Sequence, residues 1–225
     1  MKRQTTVKRQ TLVTEVFCGD GLISTAQFLC SAGFFAKDLN DPSTIYVVTA
    51  GHCHIPNISE YFYHLAWDQQ FATVFIGPMV KYSINPYDYG LISLRGTSRR
   101  QIKARPLVRN TDSNICKELP IHDTTQVSSH GAHLCKSGHQ SHATCGYVKG
   151  FNGIFKNNMT LEPDLIITNT LSLAGDSGGT AYFYEDLCSV SLSGIISAAS
   201  DVGLLAITPL EIILREADIE LIINS

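Results

Sequence analysis

The sequence has no uninterrupted apolar run near the ~18 residues that a membrane-spanning helix needs, so no helical anchor is expected. It has no Cys-x-x-Cys pair, and the zinc-ribbon and thioredoxin-like readings fall with it. It has no basic surplus. Its 17 Lys and Arg face 20 Asp and Glu, a net charge of −3, which argues against a nucleic-acid partner. Charged residues are few as well, 16% against 44% hydrophobic, a globular balance rather than a disordered one. An apolar signal stretch is also missing from the start. Basic Met1-Lys2-Arg3-Gln4 runs into polar Thr5–Thr11, so export would use a signal not visible here, or the chain would come from a longer precursor.

What the sequence does have is strand-like runs. Its 225 residues suit one large domain or two small ones. Gln27–Phe35, Ile45–Thr49, Ala72–Ile76 and Leu91–Leu94 are short and apolar or aromatic. Leu165–Thr168, Thr180–Tyr184, Val190–Ile196 and Leu204–Ile207 repeat the pattern in the second half. Turn signals such as Asn40-Asp41-Pro42, Asn85-Pro86 and Asn152-Gly153 separate them, which predicts an all-β sandwich or barrel. A helix is predicted from Pro209, with Leu210, Ile213 and Leu214 at helical spacing, followed by a last strand in Asp218–Ile223. Polar, basic Gly96–Asn110 is expected to be a solvated linker between two halves. Seven scattered cysteines suit an oxidising compartment and leave at least one unpaired. The sequons Asn57-Ile58-Ser59 and Asn158-Met159-Thr160 fit the same compartment.

Three segments carry chemistry. Tyr46–Cys53 is an apolar strand running into His52; Tyr87–Leu94 places Asp88 just before another strand; Ala174-Gly175-Asp176-Ser177-Gly178-Gly179 is a serine in a glycine-rich turn. A serine hydroxyl is a poor nucleophile at neutral pH. A histidine must take its proton, and a buried carboxylate must hold that histidine in the right tautomer. Glycines beside the serine permit the backbone angles that aim N–H groups at an oxyanion. Singly, His52 reads as a structural histidine and Asp88 as a turn residue. The serine turn alone could be a hairpin loop or a weak phosphate cradle, although no strand–loop–helix pattern accompanies it. Together, in the order His, Asp, Ser, they form a strong signal.

The sequence resembles the chymotrypsin-like serine proteases, which share that order, and is most similar to the streptogrisin and α-lytic branch. Thr49-Ala50-Gly51-His52-Cys53 carries the resemblance, with Cys135-Lys136-Ser137-Gly138 and Cys145-Gly146, and the tail from Thr208-Pro209 to Ile223. It covers Val16 to the end. The resemblance implies two six-stranded Greek-key β-barrels with a short C-terminal helix: residues 1–15 an N-terminal extension or propeptide remnant, barrel 1 about 16–105 and barrel 2 about 106–225. It implies a secreted, monomeric serine endopeptidase without cofactor or metal. Polypeptide substrates and a protein protease inhibitor would be its partners, with no nucleic acid and no membrane. A catalytically silent homologue serving as a binding or adhesion module is the alternative.

By the same resemblance His52 is the general base, Asp88 its orienting partner and Ser177 the nucleophile, with Gly175 and Ser177 supplying the oxyanion N–H groups. Ser197 would help to hold the aspartate, and Lys136 would be the internal cation for Asp176. Cys30–Cys53 and Cys135–Cys145 would be disulfides; Cys18, Cys116 and Cys188 leave one further bridge open. The primary specificity pocket would be walled by Leu171–Ala174, Ser197-Ala198-Ala199 and Leu204–Ala206. These segments hold no Asp or Glu, and Ala199 and Leu205 would narrow the slot toward small or medium apolar residues. The sequence departs from the branch at Cys18, where a glycine is usual, at Leu171, where a cysteine is usual, and at Thr180, where a proline is usual. His139 and His142, spaced as metal ligands can be, are expected instead in an exposed polar loop.

Overall fold

The structure is a computed structural model that describes residues 13–72, 74–94, 101–157 and 160–224. Residues 1–12 of the expected extension, 96–100 of the expected linker, and Asn158 and Met159 of the second sequon lie outside the described residues.

The first half builds β1 (Thr14–Cys18), β2 (Gly21–Ser24), β3 (Leu29–Ser31), β4 (Phe34–Asp38) and β5 (Ile45–Thr49). It continues with β6 (Tyr61–Leu65), β7 (Val74–Ser83) and β8 (Tyr89–Ser93). The second half builds β9 (Ile102–Arg109), β10 (Glu118–Thr124), β11 (His133–Gly138), β12 (His142–Lys156) and β13 (Leu161–Thr168). Then come β14 (Thr180–Tyr184), β15 (Val190–Ala199), β16 (Leu205–Pro209), α1 (Leu210–Ala217) and β17 (Ile219–Leu221).

These strands form two sheets. In one, β15-β14-β11-β12-β13-β16 is a ring of neighbours closed by the β15–β16 pairing, so six strands make a barrel; β10, β9 and β1 extend it. The other runs β17-β4-β5-β8-β7-β6-β2-β3. The chain crosses between them at both ends: β1 pairs in parallel with β9, and β17 pairs with β4. Among the described residues the fold is all-β with one short α-helix after the last barrel strand, as the sequence predicts, in a double-barrel arrangement.

Burial explains the stretch that the sequence left as a linker. In β9 the residues Ile102, Leu107 and Val108 are buried, whereas Lys103 and Arg105 reach Glu15 at 3.3 and 3.8 Å. Residues 102–109 are therefore a strand, and the linker reading of this stretch is corrected: the long basic side chains lie along the surface and hide the inward residues. Behind β9, buried Asp20 accepts from Phe17 N at 2.9 Å, from His64 Nε2 at 2.8 Å and from the Arg109 guanidinium. That one carboxylate ties β1, β6 and β9 together at the join of the two sheets.

Three disulfides brace the molecule: Cys30–Cys53, Cys116–Cys188 and Cys135–Cys145. Cys18 is free and buried, and burial raises its thiol pKa far above the ordinary value. His139 and His142 do not form an exposed loop. His139 is buried, with its backbone N–H donating to Ser31 Oγ at 2.9 Å, and His142 stacks on Trp67 at 4.1 Å. Residues 138–142 are drawn inward because they wrap an internal carboxylate.

Candidate active site

His52 stands in a single 3-10 turn, Gly51–Cys53, at the end of β5. Two constraints hold that turn. Cys53 is bridged to Cys30 in β3, and Gly51 passes so close to its neighbours that a Cβ there would lie 2.0 Å from the Ser83 carbonyl oxygen. Asp88 lies just before β8 and is buried. It receives His52 twice: the His52 backbone N–H donates to Oδ1 at 2.9 Å, and His52 Nδ1 lies 2.5 Å from Oδ2. Burial of the ring disfavours its charged form. The Asp88 hydrogen bond and charge outweigh it, joined by Glu162 whenever that carboxyl is ionised, so the His52 pKa is raised above 6.5.

The serine turn is pressed against the same place. Asp176 N donates to Leu173 O at 3.0 Å across a turn whose third residue, Gly175, has φ +108°. That is the position at which a type II turn needs glycine. Gly178 has φ +79°, and a Cβ on it would meet Thr49 Oγ1 at 2.0 Å and Ala50 N at 2.5 Å, two residues before His52. Ser31 completes the contact, accepting from Thr49 Oγ1 through its carbonyl at 2.8 Å and donating its own N–H to Ser177 O at 2.8 Å. Within the turn, Asp176, Gly178 and Gly179 donate their N–H groups to Leu173, Ile196 and Asp176 carbonyls. Among the described residues, the N–H groups of Gly175 and Ser177 have no such acceptor.

Asp176 is the internal carboxylate around which the turn is set. Lys136 Nζ lies 3.0 Å from it, and both side chains are fully buried. Ser141 Oγ, Leu173 N, Gln140 N and Ser141 N also donate to it, at 2.5, 2.8, 2.8 and 3.0 Å. Burial alone would raise its pKa; the Lys136 charge and these bonds prevail and lower it. Lys136 gives its other N–H groups to Ser141 Oγ and His142 O, so three acceptors take its three protons.

Ser197, buried at the end of β15, lies 3.5 Å from Asp88 Oδ2 and nearer, 2.5 Å, to Glu162 Oε2. Glu162 is the residue that the sequence reading missed. It is 2% exposed, with Oε1 accepting from Thr208 Oγ1 at 2.7 Å and from Asp88 N at 3.2 Å. Burial first, then the Asp88 charge, raises its pKa above 4.5 against these bonds. A cavity of about 580 Å³ opens beside His52, walled by Ile55, Tyr82, Ile84 and Phe155 and reaching Glu162, Ser197 and Ala198. Leu171, Ala199 and Leu205 are not in its lining. Leu171 and Ala199 are exposed, and Leu205 packs in the core with Leu134, Ile166 and Ile196. Groups with the donor types of a metal site occur at Cys30–His52–Cys53 and His133–Cys135–Cys145, but all four cysteines in them are disulfide-bonded.

No protein-family model and no curated protein matches the sequence. Solved structures do match its shape. Thermobifida fusca protease A superposes with a TM-score of 0.74 at 18% identity, over 94% of this chain and 100% of that one. Cellulomonas bogoriensis chymotrypsin gives 0.71 at 20% identity, over 94% and 100%. Nocardiopsis protease (NAPase) gives 0.69 at 18% identity, over 92% and 99%. The fold is thus that of the chymotrypsin-like serine proteases of the streptogrisin and α-lytic type, across nearly the whole chain.

Proposed function

We propose that this chain is a serine endopeptidase that cleaves peptide bonds through an acyl-enzyme intermediate formed on Ser177. The observation that carries the reading is the His52–Asp88 pair, with Nδ1 committed to a buried carboxylate at 2.5 Å, held against the glycine-rich turn that presents Ser177. With Nδ1 so engaged, Nε2 is left to take the Ser177 proton and later to return it to the leaving amine. Asp88 keeps the ring in that tautomer and stabilises the imidazolium. The N–H groups of Gly175 and Ser177, free of other acceptors, would meet the oxyanion.

Three disulfides favour an oxidising compartment, and we infer secretion. Polypeptides are the substrates. The segments expected around the primary pocket carry no carboxylate for an arginine or lysine side chain, so small or medium apolar residues before the cleaved bond are the preferred ones. Leu205 packs in the core, so the narrowing proposed for the slot rests on Ala199 alone.

Labelling with a fluorophosphonate tests the reading. The wild-type chain should react at one residue, Ser177, and hydrolyse a peptide library. A folded chain that neither reacts nor cleaves would be a binding module on this fold.

A further inference from the structure

Glu162 has no part in the mechanism above, yet its carboxyl lies beneath it. It meets Asp88 at two points: through the Asp88 backbone N–H, and through Ser197, whose hydroxyl oxygen is 2.5 Å from Glu162 Oε2 and 3.5 Å from Asp88 Oδ2. A serine has one proton to give and two lone pairs to receive. Here two carboxyl oxygens compete for that one proton. If both acids are ionised, Ser197 can serve only one of them, and two buried negative charges share a site.

The surroundings offer little compensation. The donors to Glu162 are Ser197, Thr208 and the Asp88 N–H, all neutral. Its titratable and charged neighbours are Asp88 at the entry to β8, His52 in the 3-10 turn, and His54 and Tyr82 on the cavity wall. On its own strand, Asp164 accepts from Tyr87 Oη at 2.9 Å. Among the described residues, no lysine or arginine lines the cavity or donates to Glu162. One additional proton, on Oε2, resolves the competition: Glu162 then donates to Ser197 Oγ, and the Ser197 hydroxyl is released to donate to Asp88.

Resting on the peptidase reading, we propose that Glu162 is a positioning residue held as the neutral acid, the far end of a hydrogen-bond chain Glu162–Ser197–Asp88–His52. It acts by supplying the proton that lets Ser197 face Asp88, and so fixes the carboxylate that orients His52. The elevated pKa of a buried carboxyl beside another carboxylate agrees with this. Loss of that proton at higher pH would turn Ser197 away from Asp88 and add a second negative charge under the imidazole, raising the His52 pKa.

The test combines a direct readout with a kinetic one. An infrared difference spectrum, wild type minus Glu162→Gln, should contain the C=O stretch of a protonated carboxylic acid at neutral pH. Its absence overturns the proposal. In the acidic limb of the kcat/KM profile, Glu162→Gln, neutral and able to donate an N–H to Ser197, should stay within about 0.3 pH unit of wild type. A downward shift of half a unit or more would mean that a negative charge had been removed, and would overturn it too. Glu162→Leu should lower kcat about tenfold with KM less affected, the loss that glutamine rescues. Equal loss in the glutamine and leucine variants would leave a packing role only. A chain that shows the acid band but does not react with fluorophosphonate defeats the peptidase reading and not the hydrogen-bond chain; one that reacts and lacks the band defeats the chain alone.

Discussion

Glycine at position 51 is required by space. With the Ser83 carbonyl oxygen 2.0 Å and the Tyr89 carbonyl oxygen 2.6 Å from where a Cβ would sit, Gly51→Ala must push β5 away from the β7–β8 turn. Overpacking of this kind costs about 1–3 kcal/mol. Because His52 is the next residue, the variant should lose peptidase rate beyond what its lower denaturant midpoint explains; a stability loss with full kcat would contradict this account. In the proposed mechanism the nucleophile and base act as a unit. Ser177→Ala and His52→Ala should each reduce kcat by as much as ~10⁶, and the double variant should be little worse than either. A tenth of the wild-type rate in Ser177→Ala would exclude that residue as nucleophile. Lys136→Met leaves Asp176 buried without its cation, a loss of about 3–5 kcal/mol by analogy with broken buried pairs. Denaturant unfolding would measure it, and a loss below 1 kcal/mol would mean that the hydroxyl and backbone donors suffice.

At the scale of elements, what was legible in the sequence follows from what each strand buries. β5 and β14 were read with their full bounds because both of their faces are apolar or nearly so. β12 was not seen at all. Its fifteen residues include three glycines, its pairing with β13 slips register three times, and only Gly146 and Val148 are buried, so no apolar stripe marks it in the sequence. The predicted helix and closing strand, by contrast, correspond to α1 and β17, where Leu210, Ile213 and Ile219 are buried. In the candidate site, His52, Asp88 and Ser177 stand out in the sequence because glycines and apolar strands frame them. Glu162 was not, because a lone glutamate before Pro163 looks like a turn. Its only signal was phase: it falls on the inward side of β13, in step with Ile166 and Thr168. The Cys30–Cys53 bridge also belongs to this scale. Replacing both cysteines by alanine should cost about 3 kcal/mol for a closed loop of this length and should loosen the turn that carries His52. If the double variant kept its kcat while losing stability, the bridge would be structural alone.

For the whole molecule, the same buried groups set opposite pH demands on stability and on activity. Asp20 and Asp176 are buried carboxylates. Burial alone would raise them, but His64 and Arg109 at the first, and Lys136 with Ser141 at the second, bring both below the ordinary 3.8. Their stabilisation is complete above that value and is lost as pH falls through the lower, folded-state pKa values. His52 runs the other way: raised above 6.5, it stabilises the fold below that pH, and the contribution fades as pH rises through its folded value. Glu162, raised above 4.5, adds a penalty once pH exceeds the value at which the unfolded carboxyl ionises. The aspartate terms are complete just above 3.8 and the Glu162 penalty begins near 4.5, so denaturant midpoints should peak at about pH 4 to 5. The proposed mechanism needs His52 unprotonated, so the rate should still be rising where stability has begun to fall. Asp20→Asn should flatten the acid limb of the stability curve, and Glu162→Gln should flatten the limb above its maximum. A wild-type curve that climbed steadily from pH 6 to 8 would contradict the assignment of His52 and Glu162 as groups whose proton is held more tightly in the folded chain.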